Sequence, residues 1–290
     1  MPGPGIPYRV DMKEPPSPAG ALPVGARDTN PPAPGSGNRV VRALRYTYRV
    51  PLLLWHLLVD LPLAVLLLSP VTAGWRLGAE RLDHRVIRLW SAGLAWICGF
   101  RLRRHGTPLA GATLFVANHV TWADIVVLDS QRMMGFVAKR EIAAWPVVGW
   151  MAARAETIFH QRGSTESLGG VLHEMLARLR AGRSVAVFPE GRTGDGREIG
   201  PFHARIFLAA VETDTPVQPV ALRYGVRGAA QSVVAFQRGE HFLGNVLRLL
   251  GEPPRCADVI FLEPILPGAS AGRRGIAELA RDRIATAMHS

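Results

Sequence analysis

The chain has 290 residues, with 34 Lys and Arg against 23 Asp and Glu, a net charge of +11 and a hydrophobic share of 48%. That apolar content excludes a wholly disordered chain, and a single long apolar stretch excludes a multi-pass membrane protein. A chain both basic and apolar points to an anionic partner: nucleic acid, a lipid surface or a phosphorylated substrate.

The positive charge is almost all arginine, since Lys13 and Lys139 are the only lysines. Cys98 and Cys256 are far apart, with neither a disulfide framework nor a zinc spacing around them, so a reducing compartment is expected. Residues 1–38 hold 10 of the 23 prolines and no hydrophobic period. They read as a disordered extension without the charged and apolar regions of a signal peptide.

Residues 39–100 form the second region, a membrane-associating helical segment. Arg39, Arg42, Arg45 and Arg49 lead into the apolar run Leu52–Leu68, and Arg76, Arg81, Arg85 and Arg88 follow it. As a helix the run reaches about 25 Å, short of the roughly 30 Å hydrocarbon core. Asp60 near its centre would cost about 2.5–3.5 kcal/mol on insertion. The reading therefore favours a helix lying in one leaflet over a full span. Leu89–Phe100, with Trp90 and Trp96, is a candidate hairpin partner.

From residue 101 to 290, short apolar runs alternate with helical periods. Strands are expected at Thr113–Ala117, Phe136–Ala138, Thr157–Phe159, Ser184–Phe188, Val217–Ala221 and Val259–Leu262. Helices are expected from near His119–Trp122, over Ser164–Ala181 with Ser164 as N-cap, and over Phe202–Glu212 and Gly275–Met288. The alternation predicts an α/β domain whose mixed sheet is covered by helices.

Two loops that follow strands are rich in chemistry. In Asn118-His119-Val120-Thr121-Trp122-Ala123-Asp124, an imidazole and a carboxylate five residues apart meet if the first helical turn is irregular. The carboxylate would then orient the ring and leave the other nitrogen as a general base, worth about 10²–10⁴ in rate. A histidine capping a helix beside a neutralising aspartate has the same spacing, so the loop alone leaves both readings open. No second His or Cys stands at ligand spacing, so no metal is expected. The second loop, Phe188-Pro189-Glu190-Gly191-Arg192-Thr193-Gly194-Asp195-Gly196, exposes backbone amides suited to an anion, or is an ordinary glycine-rich turn. It has neither the P-loop lysine nor the dinucleotide-binding spacing.

Together these loops resemble the first and third motifs of the glycerolipid acyltransferases, among them the lysophosphatidic acid acyltransferases. Ile158-Phe159-His160-Gln161-Arg162 resembles the second motif and Thr215-Pro216-Val217-Gln218-Pro219-Val220 the fourth, in the right order over roughly Arg101–Leu262. The resemblance implies acyl transfer from a thioester to a lysolipid hydroxyl, with acyl-CoA or acyl carrier protein as donor and no cofactor. It gives His119 the role of general base and Asp124 that of its orienting partner. Direct attack without an acyl-enzyme fits the lack of a Gly-x-Ser-x-Gly elbow. Arg162, Glu190 and Gly191 would position the acceptor head group, with Arg192 beside them. Lys139 and Arg140, after a strand, are added as anion candidates, or are a solvated surface pair.

One departure bears on the acceptor. The common third motif continues Thr-Arg after its glycine, whereas here Arg192-Thr193 follows Gly191. Arg197 or Arg205 could compensate. Branches resembling lyso-ornithine-lipid acyltransferases lack that arginine and continue like Gly194-Asp195-Gly196. The first reading is therefore 1-acylglycerol-3-phosphate as acceptor, giving phosphatidic acid, with lyso-ornithine lipid as the alternative. A membrane-associated enzyme at the cytoplasmic face of the inner or plasma membrane is expected. Rivals of another class are a nucleic-acid-binding protein, for which no basic-aromatic module is present, and a non-catalytic lipid-surface protein.

Overall fold

The computed structural model describes residues 39–72, 74–78, 80–145, 148–160 and 165–289. The proline-rich extension, Gln161, Arg162 and the Ser164 cap lie outside the described residues.

The apolar run is the C-terminal part of a longer helix, α1 (Arg39–Leu67, 29 residues), long and apolar enough by composition to cross a membrane and little buried. The four leading arginines are thus helical residues, not a flank. Its ladder widens to a π-helical turn over His56–Asp60. There His56 Nδ1 lies 2.9 Å from Asp60 Oδ2 and Nε2 lies 3.1 Å from the Trp90 carbonyl. The ring stacks on Trp90, so Asp60 has a partner supplied by its own helix. Trp90 belongs to α2 (Leu82–Ile97), the expected partner of α1.

The sheet has seven strands: β1 (Phe100–His105), β2 (Leu114–Ala117), β3 (Gly135–Lys139), β4 (Ile158–His160), β5 (Val185–Val187), β6 (Val217–Tyr224) and β7 (Arg255–Phe261). Their spatial order is β1-β7-β6-β2-β5-β3-β4. Within this sheet, among the described residues, only β6 and β7 pair antiparallel, so β2 to β6 all run the same way. The expected mixed sheet is present, with an additional edge strand, β1. Its Arg101, Arg103 and Arg104 are exposed, which hid a strand whose ladder to β7 is a backbone matter.

The remaining helices are α3 (Ala123–Asp129), α4 (Val148–Arg154), α5 (Thr165–Arg180), α6 (Leu208–Glu212), α7 (Gln231–Val234), α8 (Phe242–Gly251) and α9 (Gly272–His289). The helix expected from Phe202 begins as a 3-10 turn, Ala204–Phe207, before α6.

Side chains alternate across the sheet with the two-residue period of a strand. Phe115, Ala117 and Ala186 pack with Leu128 of α3 and Leu249 of α8 on one face. Leu114, Val116, Val185 and Val187 pack with Met175 of α5 and Ala280 of α9 on the other. Burial on both faces explains why these strands read as continuous apolar runs. It also leaves the strand ends as the place for polar function.

Candidate active site

The loops after β2 and β5 leave the same edge of the sheet because their strands are parallel neighbours. Such carboxyl-terminal edges are where open α/β sheets place ligands. Asn118 ties the β2 end to β6: its Nδ2 donates to the Leu222 carbonyl (3.0 Å), and the Leu222 amide donates to its Oδ1 (2.8 Å).

The next residue, His119, directs Nδ1 at Asp124 Oδ2, 2.8 Å away. The turn between them is tightened, the Asp124 amide donating to the Thr121 carbonyl and that of Ile125 to Trp122. This is the irregular first turn that a spacing of five requires. Asp124 is fully buried. Its Oδ2 also accepts the amides of Val120 (2.6 Å) and Thr121 (2.9 Å), and Oδ1 accepts the Tyr224 hydroxyl (2.5 Å). Burial, reinforced by the Asp124 charge, pushes the Tyr224 hydroxyl well above its ordinary range. It therefore stays protonated and donates. With every neighbour donating to Asp124, the proton on the histidine sits on Nδ1. Among the described residues Nε2 has no hydrogen-bond partner, and His119 lines a cavity of about 380 Å³. The ring is held flat against Phe188, centroids 4.0 Å apart and planes 12° from parallel.

Glu190 joins the two loops. Its Oε1 accepts the His119 amide (2.9 Å) and Oε2 the Gly200 amide (3.0 Å). Burial raises its carboxyl above the usual range, against the lowering effect of those two amides. Gly191 turns the chain just after it at φ +69°, a left-handed conformation that glycine adopts without steric cost. The Gly194 amide then donates to the His119 carbonyl (2.8 Å), closing the loop on the dyad.

His119, Asp124 and Glu190 are thus brought together, and Gly191 shapes their loop. Arg192 is exposed and is not in the cavity wall. Lys139 is exposed at the end of β3, opposite His160 in register. The cavity wall instead carries Arg197, Glu198 and, from α9, Arg281 and Met288. Tyr224 and the α9 residues were not anticipated; a lone tyrosine at a strand end and a closing amphipathic helix carry no sequence signal for a site. Among the described residues no group of three or more His, Cys, Asp or Glu side chains is arranged to hold a metal.

An imidazole oriented by a buried carboxylate, over a cavity at the carboxyl edge of a covered sheet, is an arrangement able to accept a proton from a bound hydroxyl. The acyltransferase family pattern matches residues 101–223, and the chain belongs to the acyltransferase family. It is 35% identical over 208 residues to a lyso-ornithine lipid O-acyltransferase of Pseudomonas aeruginosa, 71% of this chain and 80% of that one. It is 30% identical to a lyso-ornithine lipid O-acyltransferase of Brucella abortus, over 75% of this chain and 84% of that one. A 1-acyl-sn-glycerol-3-phosphate acyltransferase of Neisseria gonorrhoeae matches at 36% identity over 49% of this chain and 56% of its own. In fold, the crystal structure of the 1-acyl-sn-glycerophosphate (LPA) acyltransferase PlsC of Thermotoga maritima superposes with a TM-score of 0.66 at 18% identity. That match covers 85% of this chain and 96% of that one.

Proposed function

We propose that the protein transfers a fatty acyl group from acyl-CoA or acyl carrier protein to the hydroxyl of lyso-ornithine lipid at a membrane surface. The observation that carries the chemistry is the His119 ring, tied to Asp124 through Nδ1 with its other nitrogen on the cavity. Nε2 takes the proton of the acceptor hydroxyl as that oxygen attacks the thioester carbonyl. The C–S bond then breaks and the departing thiolate recovers the proton from the imidazolium. A positioned base of this kind contributes about 10²–10⁴ in rate. Asp124 compensates the transient imidazolium charge.

The choice of acceptor rests on two supports. The relatives named for lyso-ornithine lipid align over more of the chain than the Neisseria relative. The ornithine head group also carries a free ammonium and a free carboxylate. Arg197 and Glu198 put one charge of each sign on the cavity wall, and neither side chain is paired among the described residues. The second reading, 1-acylglycerol-3-phosphate, is favoured by the Neisseria relative and by the arginines near the loop. Arg162, Arg192 and Lys139 are proposed as anion contacts, for the head group or for the phosphates of the acyl carrier.

Membrane seating falls to α1. Arg45 and Arg49 hold its first half on α8, which leaves the exposed apolar face of residues 51–67, with Leu54, Leu58, Leu63 and Leu66, for the bilayer. Those 17 residues reach about 25 Å as a helix, enough for one leaflet but not a full span. Acyl-CoA and acyl carrier protein, the proposed donors, are cytoplasmic molecules, so the cytoplasmic face is the proposed seat.

An acceptor panel tests the reading. Purified protein receives labelled acyl-CoA or acyl carrier protein with lyso-ornithine lipid or lysophosphatidic acid, and the lipid product is identified. Ornithine lipid is expected. Turnover of lysophosphatidic acid alone replaces the acceptor, and turnover of neither removes the lysolipid assignment.

A further inference from the structure

Asn245 lies on α8, 121 positions beyond Asp124, and its side chain is completely buried. Its Oδ1 accepts the Trp122 indole N–H at 2.9 Å and the Thr121 hydroxyl at 3.4 Å. Its Nδ2 donates to Glu240 Oε2 at 3.0 Å and faces the Val234 and Ala235 carbonyls at 3.4 Å. Donors on one side and acceptors on the other fix which way the amide points. Glu240 is itself held by Arg248 through two contacts of 2.8 and 2.9 Å, and Arg248 also donates to the Ala235 carbonyl at 2.8 Å. The amide therefore sits in a satisfied polar network inside an apolar layer, where such networks fix one geometry.

Its two partners lie in the segment between His119 and Asp124. That segment enters α3, a seven-residue helix whose N-cap, Trp122, makes no side-chain cap bond. The internal bonds of the loop, from Val120 and Thr121 to Asp124, keep it folded but do not hold it against the neighbouring layer. Trp122 and Thr121 reaching Asn245 supply that second tie. The far end of α8 is fixed as well: Arg45 donates to the Gly251 carbonyl at 3.0 Å, and Arg49 to the Leu250 and Glu252 carbonyls at 2.9 and 2.8 Å.

We propose that Asn245 is a positioning residue for the His119–Asp124 dyad, with α8 acting as a strut between α1 and the loop that carries the base. The proposal rests on His119 being the base. Misplacement of a reacting group by about 1 Å costs up to about 10²-fold in rate, so the effect belongs in kcat and leaves acceptor binding alone.

The test is a double-mutant cycle of Trp122→Phe and Asn245→Leu in the full chain, with kcat and acceptor KM measured on detergent-dispersed lysolipid. Each variant is expected to lower kcat about 10- to 100-fold with KM unchanged, and the double variant to be no worse than the weaker single one. Wild-type kcat in Trp122→Phe, a loss confined to KM, or additive losses would each overturn the proposal. Trp122→Phe keeps a large ring on a half-buried position, so it decides the matter if Asn245→Leu fails to fold. His119→Ala is measured in parallel. Turnover surviving there breaks the base assignment, whereas an inactive His119→Ala beside an unaffected Trp122→Phe breaks the positioning role alone.

Discussion

The Tyr224 hydroxyl donates to Asp124 Oδ1 at 2.5 Å, joining the end of β6 to the first turn of α3 across 100 residues of chain. It occupies the oxygen that His119 does not use. Four donors therefore surround one buried carboxylate, three on Oδ2 and one on Oδ1. Removing that hydroxyl leaves a buried acceptor unpaired. Tyr224→Phe should lower stability by about 1–3 kcal/mol in denaturant titration and reduce kcat. A variant as stable and active as the parent would show that Oδ1 needs no partner.

Asp124→Asn replaces an oxygen that accepts with an amide that donates. One of its two side-chain positions then faces N–H or O–H donors with an N–H of its own. Turnover should fall by about 10²–10⁴, as for His119→Ala, and the double variant should be no slower than the worse single one. Additive losses would mean that the two side chains act separately.

Glu240 supplies a pH dependence. The Arg248 hydrogen bonds hold its carboxyl down from the ordinary 4.5 to about 2. In the unfolded chain it takes up a proton near 4.5, while in the native protein it stays ionised to about 2. Its stabilising contribution is thus complete above 4.5 and drains away as pH falls from 4.5 to about 2. Glu240→Gln should flatten that part of a stability-versus-pH curve measured by chemical denaturation. An unchanged slope would separate Glu240 from acid unfolding.

Arg49 is a buried cation on α1 whose guanidinium satisfies carbonyls at the end of α8. Arg49→Met keeps the packing and removes the donors, for an expected loss of about 1.5–3 kcal/mol. Gly99, at φ +87°, would place a Cβ 2.7 Å from Arg49 Nη2, so Gly99→Ala should weaken the same contact. Limited proteolysis of the α1–α8 junction reads both. Protection equal to the parent in both variants would show that the apolar contacts suffice.

Burial pushes the Cys98 thiol up to about 12. Thiolate is the reactive form, so a thiol reagent at pH 8 should leave Cys98 unmodified in the native protein and label it on unfolding. Labelling under native conditions, mapped by mass spectrometry, would place Cys98 in an opening segment.

The strand–helix alternation and the motif order were legible because each depends on neighbours in the chain. Leu114 to Ala117 and Val185 to Val187 are buried on both faces and read as apolar runs, and the His119–Asp124 spacing closes within one turn. β1 and α8 were not legible. The pairing of β1 is made by backbone beneath exposed arginines, and the buried polar residue of α8 that reaches the loop, Asn245, has no recognisable spacing.

The +11 charge admitted nucleic acid, membrane or anionic substrate alike. The sequence itself determined the apolar run beside arginines and the His119–Asp124 pair, since both are short-range patterns of residue type. Only the tertiary structure decided what individual arginines do. Arg45 and Arg49 turn inward to cap α8, while Arg197 and Arg281 line the cavity beside His119. The physical reason is that their partners are carbonyls and a cavity wall assembled from residues up to about 200 positions away, and a backbone carbonyl looks the same in every sequence.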